Sequence, residues 1–70
     1  MMNPSHHVFD GDELVASIIR IGNGRPASPV RFVPYWSLSR HHLARVDFPT
    51  RADATCAAVK QCKKPRIVRA

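Results

Sequence analysis

The hydrophobic positions along the chain predict three strands ahead of one helix. Leu14–Ile21 is almost continuously apolar and β-branched, which is typical of a strand buried on most of both faces. Val30–Trp36 is a second apolar run, and Pro34 within it predicts an edge strand or a bend, because proline cannot donate a ladder hydrogen bond. Leu43–Phe48 alternates between apolar and polar residues, as a half-buried strand does. This alternation predicts that Ala44, Val46 and Phe48 point inward.

The clearest helical pattern runs from about Arg51 to Lys63. Thr50 can cap its start, and Asp53 at the third helical position completes a variant of the capping box. Pro65 prevents the helix from continuing. The β-prone segment Arg66–Arg69 then allows a short last strand. The helix should turn one apolar stripe toward the sheet, formed by Ala52, Thr55, Cys56, Val59 and Cys62.

Turn-forming segments separate these elements. Residues 22–24 (Gly-Asn-Gly) tolerate positive φ and predict a hairpin turn. Residues 25–29 contain Pro26 and Pro29, which predict a loop. Residues 37–42 fit either a long turn or a single helical turn. Residues 1–13 are interpreted as an acidic, histidine-containing tail. Residues 14–70 then form one small basic α+β domain of order β-β-β-α-β, an antiparallel sheet of three to four strands with one helix on one face.

The length of the chain argues against an enzyme. Seventy residues make at most one domain. So short a chain buries only about 60% of its unfolded surface, which leaves little room for a deep pocket that excludes water. No catalytic or cofactor motif accompanies the elements above. We therefore expect a binding protein without catalytic activity and without a cofactor.

The cysteines and histidines do not have the spacing of a metal or disulfide site. Cys56 and Cys62, placed six residues apart on one helix, would be separated by about 9 Å of axial rise, too far for a bridge. The histidines occur as adjacent pairs, His6-His7 and His41-His42, which cannot chelate one ion well. A zinc site shared between a histidine and a cysteine would lack the short ligand spacing of such sites. We expect no metal.

The apolar runs are too short for a membrane span. Polar residues or proline interrupt both of the longest ones. The amino terminus has no basic start followed by an apolar stretch, so it does not resemble a signal peptide. A cytoplasmic protein without membrane association is the expectation.

Charge is the clearest functional signal. All eleven Lys and Arg residues follow Glu13, and only Asp47 and Asp53 oppose them there, a formal charge of +9, whereas residues 1–13 hold three acids and no Lys or Arg. Such a field attracts phosphate or an acidic protein surface. Eight of the eleven are arginine, whose guanidinium group binds phosphate through two hydrogen bonds.

Several of these cations should lie on one side of the sheet. Arg20, Arg31 and Arg45 occur on successive predicted strands and can share an exposed face, with Arg51 beside them at the helix start. Tyr35 can either stack on a base or fill the core, whereas Trp36 is favoured for the core. The candidate residues for binding nucleic acid or another partner are Arg20, Arg31, Tyr35, Arg40, Arg45, Arg51, Lys63, Lys64, Arg66 and Arg69.

The segment from Phe48 to Val59 resembles a known strand-to-helix junction. It is similar to the Phe-x-Thr-x-x-(Glu/Asp)-Ala step in the amino-terminal arm-binding domains of phage-type tyrosine recombinases and in Apetala-type DNA-binding domains. The resemblance implies three antiparallel strands with a helix behind them and an exposed sheet face that enters the major groove. It also implies that Phe48, Ala54 and Ala58 are packing residues and that Thr50 is the cap of the helix. The strand residues that contact DNA would then be Arg20, Arg31 and Arg45.

Two functions agree with these observations. The first is a small DNA- or RNA-binding accessory or regulatory protein of a phage or mobile element. The second is a small phage-type inhibitor whose arginines occupy an acidic, nucleic-acid-binding groove of a host enzyme or immune complex. Binding to random single strands and duplexes at two salt concentrations distinguishes them, because phosphate contacts weaken steeply with salt.

Overall fold

A computed structural model describes residues 4–70 as a four-stranded antiparallel sheet with one helix against one of its faces. The elements are β1 (Pro4–Asp10), β2 (Glu13–Ile21), β3 (Arg31–Trp36), a 3₁₀ turn (Leu38–Arg40), α1 (Arg51–Val59) and β4 (Pro65–Arg69). The helix α1 lies between β3 and β4 along the chain, and the strands have the spatial order β3-β2-β1-β4. This arrangement confirms the predicted α+β class.

The interpretation of residues 1–13 as a tail is wrong for Pro4–Asp10, which form the inner strand β1; Met1–Asn3 lie outside the described residues. This strand pairs with β2 on one side and with β4 on the other. Val8 is fully buried within it. The signal for this strand is Gly11-Asp12, a two-residue hairpin turn between the paired residues Asp10 and Glu13, in which Gly11 adopts a φ of +63°. The domain therefore begins before residue 14.

The predicted strand Leu43–Phe48 is also wrong, because only Phe48 pairs with the sheet. Its backbone exchanges two 2.8 Å hydrogen bonds with Phe32 on the outer edge of β3. The next pair in that ladder would need a backbone N–H from Pro34, which has none, so the ladder stops after one pair. Ala44 and Val46 are consequently exposed, contrary to the predicted inward positions. The prediction that Pro34 marks an edge strand is confirmed.

The helix begins where the sequence predicts but ends early. Thr50 caps it by accepting a 3.1 Å hydrogen bond from the Asp53 backbone N–H. Beyond Val59 the backbone tightens into turns, in which Gln61 and Cys62 donate to carbonyls only three residues back. Asp10 then accepts hydrogen bonds from the next two N–H groups, which fixes the chain out of helical geometry before Pro65.

The buried stripe of α1 is rotated from the predicted one. Ala54 and Ala58 are fully buried, whereas Cys56 is exposed and Val59 is half-buried. Alanines four residues apart let the short helix lie close to the sheet, so the smallest side chains face inward rather than the larger apolar ones. Phe48, Ala54 and Ala58 therefore have the packing positions that the strand-to-helix junction implied.

Cross-strand pairs define the two faces of the sheet, because directly paired residues point to the same side. The helix face, against which α1 packs, contains the core. A β-bulge in β2 places both Val15 and Ala16 opposite Val8 and brings all three into this core. The helix face consists of His6, Val8, Val15, Ala16, Ile18, Phe32, Pro34, Trp36, Ile67 and the ends Arg20 and Arg69.

Asp10 ties the end of β1 to the segment after the helix. Its carboxylate accepts hydrogen bonds from the backbone N–H groups of Lys63 (3.2 Å) and Lys64 (2.9 Å), and lies 3.7 Å from the Arg40 guanidinium. The Lys64 hydrogen bond, with smaller contributions from the Lys63 N–H and from Arg40 and Lys63 charges, holds the pKa of Asp10 below its usual value.

This contact predicts how stability depends on acid. A carboxyl whose pKa is lower when folded stabilises the protein above its unfolded pKa of about 3.9, and that stabilisation is lost as the pH falls through the folded value. Asp10→Asn should therefore lower the melting temperature at pH 7 and make its decline below pH 4 shallower than in the parent. Thermal melts of both proteins across that range test this. Parallel acid declines would show that Asp10 does not contribute through its charge.

Candidate nucleic-acid interface

The second side of the sheet is covered by none of the elements formed by residues 4–70. It carries several apolar residues: Ile19 is only 9% exposed, Val33 beside it is half-buried, and so is Val68 at the β4 edge. In a two-layer α+β fold this side is usually polar because it faces water. We name it the open face, and it consists of His7, Phe9, Leu14, Ser17, Ile19, Ile21, Arg31, Val33, Tyr35, Arg66 and Val68.

Two aromatic rings on the open face each carry an arginine. The Arg45 guanidinium carbon lies 3.8 Å from the ring centroid of Tyr35, and that of Arg66 lies 4.6 Å from the centroid of Phe9. The sequence left open whether Tyr35 lies in the core or at the surface. Tyr35 is 44% exposed and therefore lies at the surface. Each pair presents a flat, cationic surface of the kind on which nucleic-acid bases stack.

Arg31 lies on the same face but is partly neutralised. Its Nε donates a 3.3 Å hydrogen bond to the Asp47 carboxylate, and both side chains are partly exposed. Exposed pairs of this kind contribute at most about 1 kcal/mol. Arg31 can therefore exchange Asp47 for a phosphate at little cost, but it attracts anions less than Arg45 or Arg66 does.

The prediction that Arg20 shares a face with Arg31 and Arg45 is wrong. Arg20 pairs with Phe32 and Arg31 pairs with Ile21, so neighbouring positions in the register put these two arginines on opposite faces. Arg69 pairs with His6 and also lies on the helix face. Arg51 points to that side as well, with its guanidinium 5.4 Å from the Phe32 ring. Arg45 is on the open face as predicted, although it extends from a loop.

The remaining candidate cations lie at the end of the sheet where β1 turns into β2. Arg40 pairs with Asp10, and the backbone of Lys63 and Lys64 is bound to the same carboxylate. All three residues thus contact Asp10, an acid in the segment that the sequence pattern assigned to a separate tail. The ten predicted binding residues divide among two faces and one end, and only Arg31, Tyr35, Arg45 and Arg66 belong to the open face.

Trp36 occupies the core, as favoured from the sequence. It is 8% exposed on the helix face, and its indole N–H donates a 3.0 Å hydrogen bond to the Ala44 carbonyl oxygen. This bond holds the loop that carries Arg45 against the outer edge of β3. The two adjacent aromatic residues of β3 therefore have separate roles, since Trp36 anchors the loop and Tyr35 meets its arginine on the other side.

A groove of about 710 Å³ also lies between α1 and the β1–β4 half of the helix face. Ile67 is 51% exposed at its floor. The lining residues are His6, Arg51, Ala52, Thr55, Cys56, Val59 and Ile67. It has less aromatic surface than the open face, since none of its lining residues is Phe, Tyr or Trp.

Within residues 4–70, no three His, Cys, Asp or Glu side chains come together in a way that would hold a metal ion. Neither helical segment of that range is long and apolar enough to cross a membrane. Cys56 and Cys62 are both free thiols. Burial raises the pKa of Cys62, which suits a packing residue rather than a nucleophile.

Sequence reasoning missed two members of the open face, His7 and Phe9. Both belong to the segment interpreted as a tail, where the histidine pair and the acids that follow obscure a strand. The signal that identifies it is the apolar pair Val8-Phe9 shortly before Gly11-Asp12, a hairpin dipeptide.

Comparison with protein-family models, curated proteins and solved structures finds no match for this chain. The resemblance of Phe48–Val59 to recombinase and Apetala-type domains therefore stays a prediction, and the functional argument depends on the open face itself.

Proposed function

We propose that this protein is a non-enzymatic binder of single-stranded nucleic acid and that the open face is its binding surface. The observation that carries the proposal is the pair of arginine-capped rings, Arg45 on Tyr35 and Arg66 on Phe9. Stacking on aromatic or guanidinium planes supplies about 1–3 kcal/mol per base and tolerates any sequence. The arginines supply the attraction for phosphate.

Stacking on the two rings favours a single strand over a duplex. Tyr35 and Phe9 are two strands apart and offset by two residues along the strand direction, which places their Cα atoms roughly 12 Å apart. Successive nucleotides in one strand of B-DNA rise only about 3.4 Å, so the two rings contact bases that are not immediate neighbours. A base can stack on a ring only where one of its faces is free, which a single strand permits and the interior of a duplex does not.

The apolar residues of the open face support a second candidate function. Leu14 is exposed and Val33 and Val68 are half-buried, and together they offer a surface that a protein partner with an acidic rim would also cover. This is the inhibitor alternative, in which the arginines meet carboxylates of a nucleic-acid-binding groove. Nucleic acid remains the better proposal because both aromatic rings of this face carry an arginine suited to planar, anionic ligands.

The test is a fluorescence anisotropy titration of the full chain with a labelled random single strand and with the duplex of equal length. We expect the single strand to bind more tightly. Each phosphate contact should contribute a slope of about −0.7 to log affinity against log salt, so two or three arginines predict about −1.4 to −2.1. Tighter binding of the duplex would contradict the stacking geometry. If neither the single strand nor the duplex binds at low salt, the proposed function is overturned and the inhibitor alternative remains.

A further inference from the structure

His7 and Ser17 form a hydrogen-bonded polar pair near the centre of the open face. They are direct partners on the two inner strands, and Val68 and Tyr35 flank them on the two edge strands. The row across the sheet is thus valine, histidine, serine and tyrosine. Phe9 lies two residues further along β1, so the pair falls between the two rings that carry arginines.

The contact between them fixes the imidazole ring. His7 Nδ1 lies 2.8 Å from Ser17 Oγ, and no residue among 4–70 forms a hydrogen bond with Nε2 at the opposite edge of the ring. Whether His7 Nδ1 donates to Ser17 Oγ or accepts from it, Nε2 remains able to form a hydrogen bond at a fixed position. A fixed group with one unused nitrogen is what recognition of a base edge requires.

We expect the fold to tolerate the loss of this pair. Replacing both partners of a half-buried hydrogen bond by apolar groups of similar shape is often nearly neutral for stability. The neighbouring inner-strand position, Ile19, shows that this face accepts aliphatic side chains. The pair combines a fixed imidazole with one unused nitrogen and lies between the two rings that carry arginines, which suits it to contact a bound base.

We propose that the His7–Ser17 pair reads the base lying between the two stacking positions, and that it gives the protein a preference among nucleobases. This inference rests on the proposed function, because it concerns the same open face. Arg45 and Arg66 would set affinity for any sequence, and the imidazole Nε2 would discriminate through one hydrogen bond to the base edge. Ser17 is a positioning residue, since it acts by orienting the ring.

The test measures affinities for four short homopolymeric single strands, one per base, with the parent, Ser17→Ala and His7→Leu. Ser17→Ala is the milder change, and the melting temperature of each variant verifies that it is folded. We expect the parent to prefer its best base over its worst by roughly fivefold, as one neutral hydrogen bond allows. In both variants that ratio should fall toward one, because the affinity for the best base drops by roughly fivefold toward that for the worst base.

Three results would overturn the inference. One is a parent that binds all four strands equally. Another is a variant that keeps the full ratio. The third is a uniform loss of affinity in the variants, which would indicate a structural role for the pair. If the parent binds none of the four strands, the proposed function fails as well, and that outcome is distinguished by the parent alone.

Discussion

Val8→Asp is expected to unfold the protein, whereas Val46→Asp should leave it folded. Val8 is fully buried in the inner strand β1, between β2 and β4 and beneath α1. A buried, unpaired carboxylate costs several kcal/mol, and the core of so small a domain seldom supplies more than about 3–5 kcal/mol. Val46 is 52% exposed in the loop beside β3, where a charge stays in water.

The two variants are a matched pair, because each replaces valine by aspartate. Far-ultraviolet circular dichroism and amide chemical-shift dispersion measure the outcome. From the alternating pattern alone, Val46→Asp would be the unfolding change, so the pair also separates the sequence-based interpretation from the observed fold. A folded Val8→Asp protein would contradict the placement of β1 inside the sheet, and an unfolded Val46→Asp protein would contradict the exposed loop.

The largest expected effect on binding comes from the Tyr35–Arg45 and Phe9–Arg66 pairs. Tyr35→Ala should weaken single-strand binding by between about fivefold and about 150-fold, because it removes one stacking platform. The double change Arg45→Ala and Arg66→Ala should make the salt slope shallower by about 1.4, since two phosphate contacts are lost. Each of these side chains is at least partly exposed, so stability should change by less than about 0.5 kcal/mol per site.

The control is the double change Arg20→Ala and Arg69→Ala. It removes the same charge from the helix face, on the other side of the same sheet. Anisotropy titrations of the two double variants at several salt concentrations compare the faces directly. If the salt slope becomes shallower by the same amount in both double variants, the attraction for nucleic acid is a property of net charge rather than of the open face. If only the Arg20 and Arg69 variant loses binding, the helix face is the site.

The sequence predicted the elements whose signals are local. Thr50 and Asp53 mark the start of α1, Pro34 marks β3 as an edge, and the β-branched run of β2 needs no tertiary context. The alternating segment 43–48 has an equally good pattern. It fails as a strand because Pro34, on a neighbouring segment, cannot donate to the second pair, and such dependence on a partner strand is not visible in a local pattern.

The candidate site depended on register, which the sequence predicted only in part. Arg31 and Tyr35 are two residues apart on one strand, so they share a face in any register. Arg20 was a different matter, since a shift of one residue moves a side chain to the opposite face. The connection from β2 to β3 spans residues 22–30, and its length did not fix which residue opposes Arg20. His7 and Phe9 were missed because the first strand was interpreted as a tail.

The most direct test of the open face as the binding surface is an amide and side-chain NMR titration of the full chain with a short unlabelled single strand. We predict that the largest shift changes fall on His7, Phe9, Ser17, Tyr35 and Arg66, with Arg45 joining them from its loop. Residues of the groove between α1 and β4, such as Thr55 and Ile67, should change least. Shift changes concentrated on that groove or at the Arg20 and Arg69 positions would contradict the account, as would a spectrum that does not respond to the oligonucleotide.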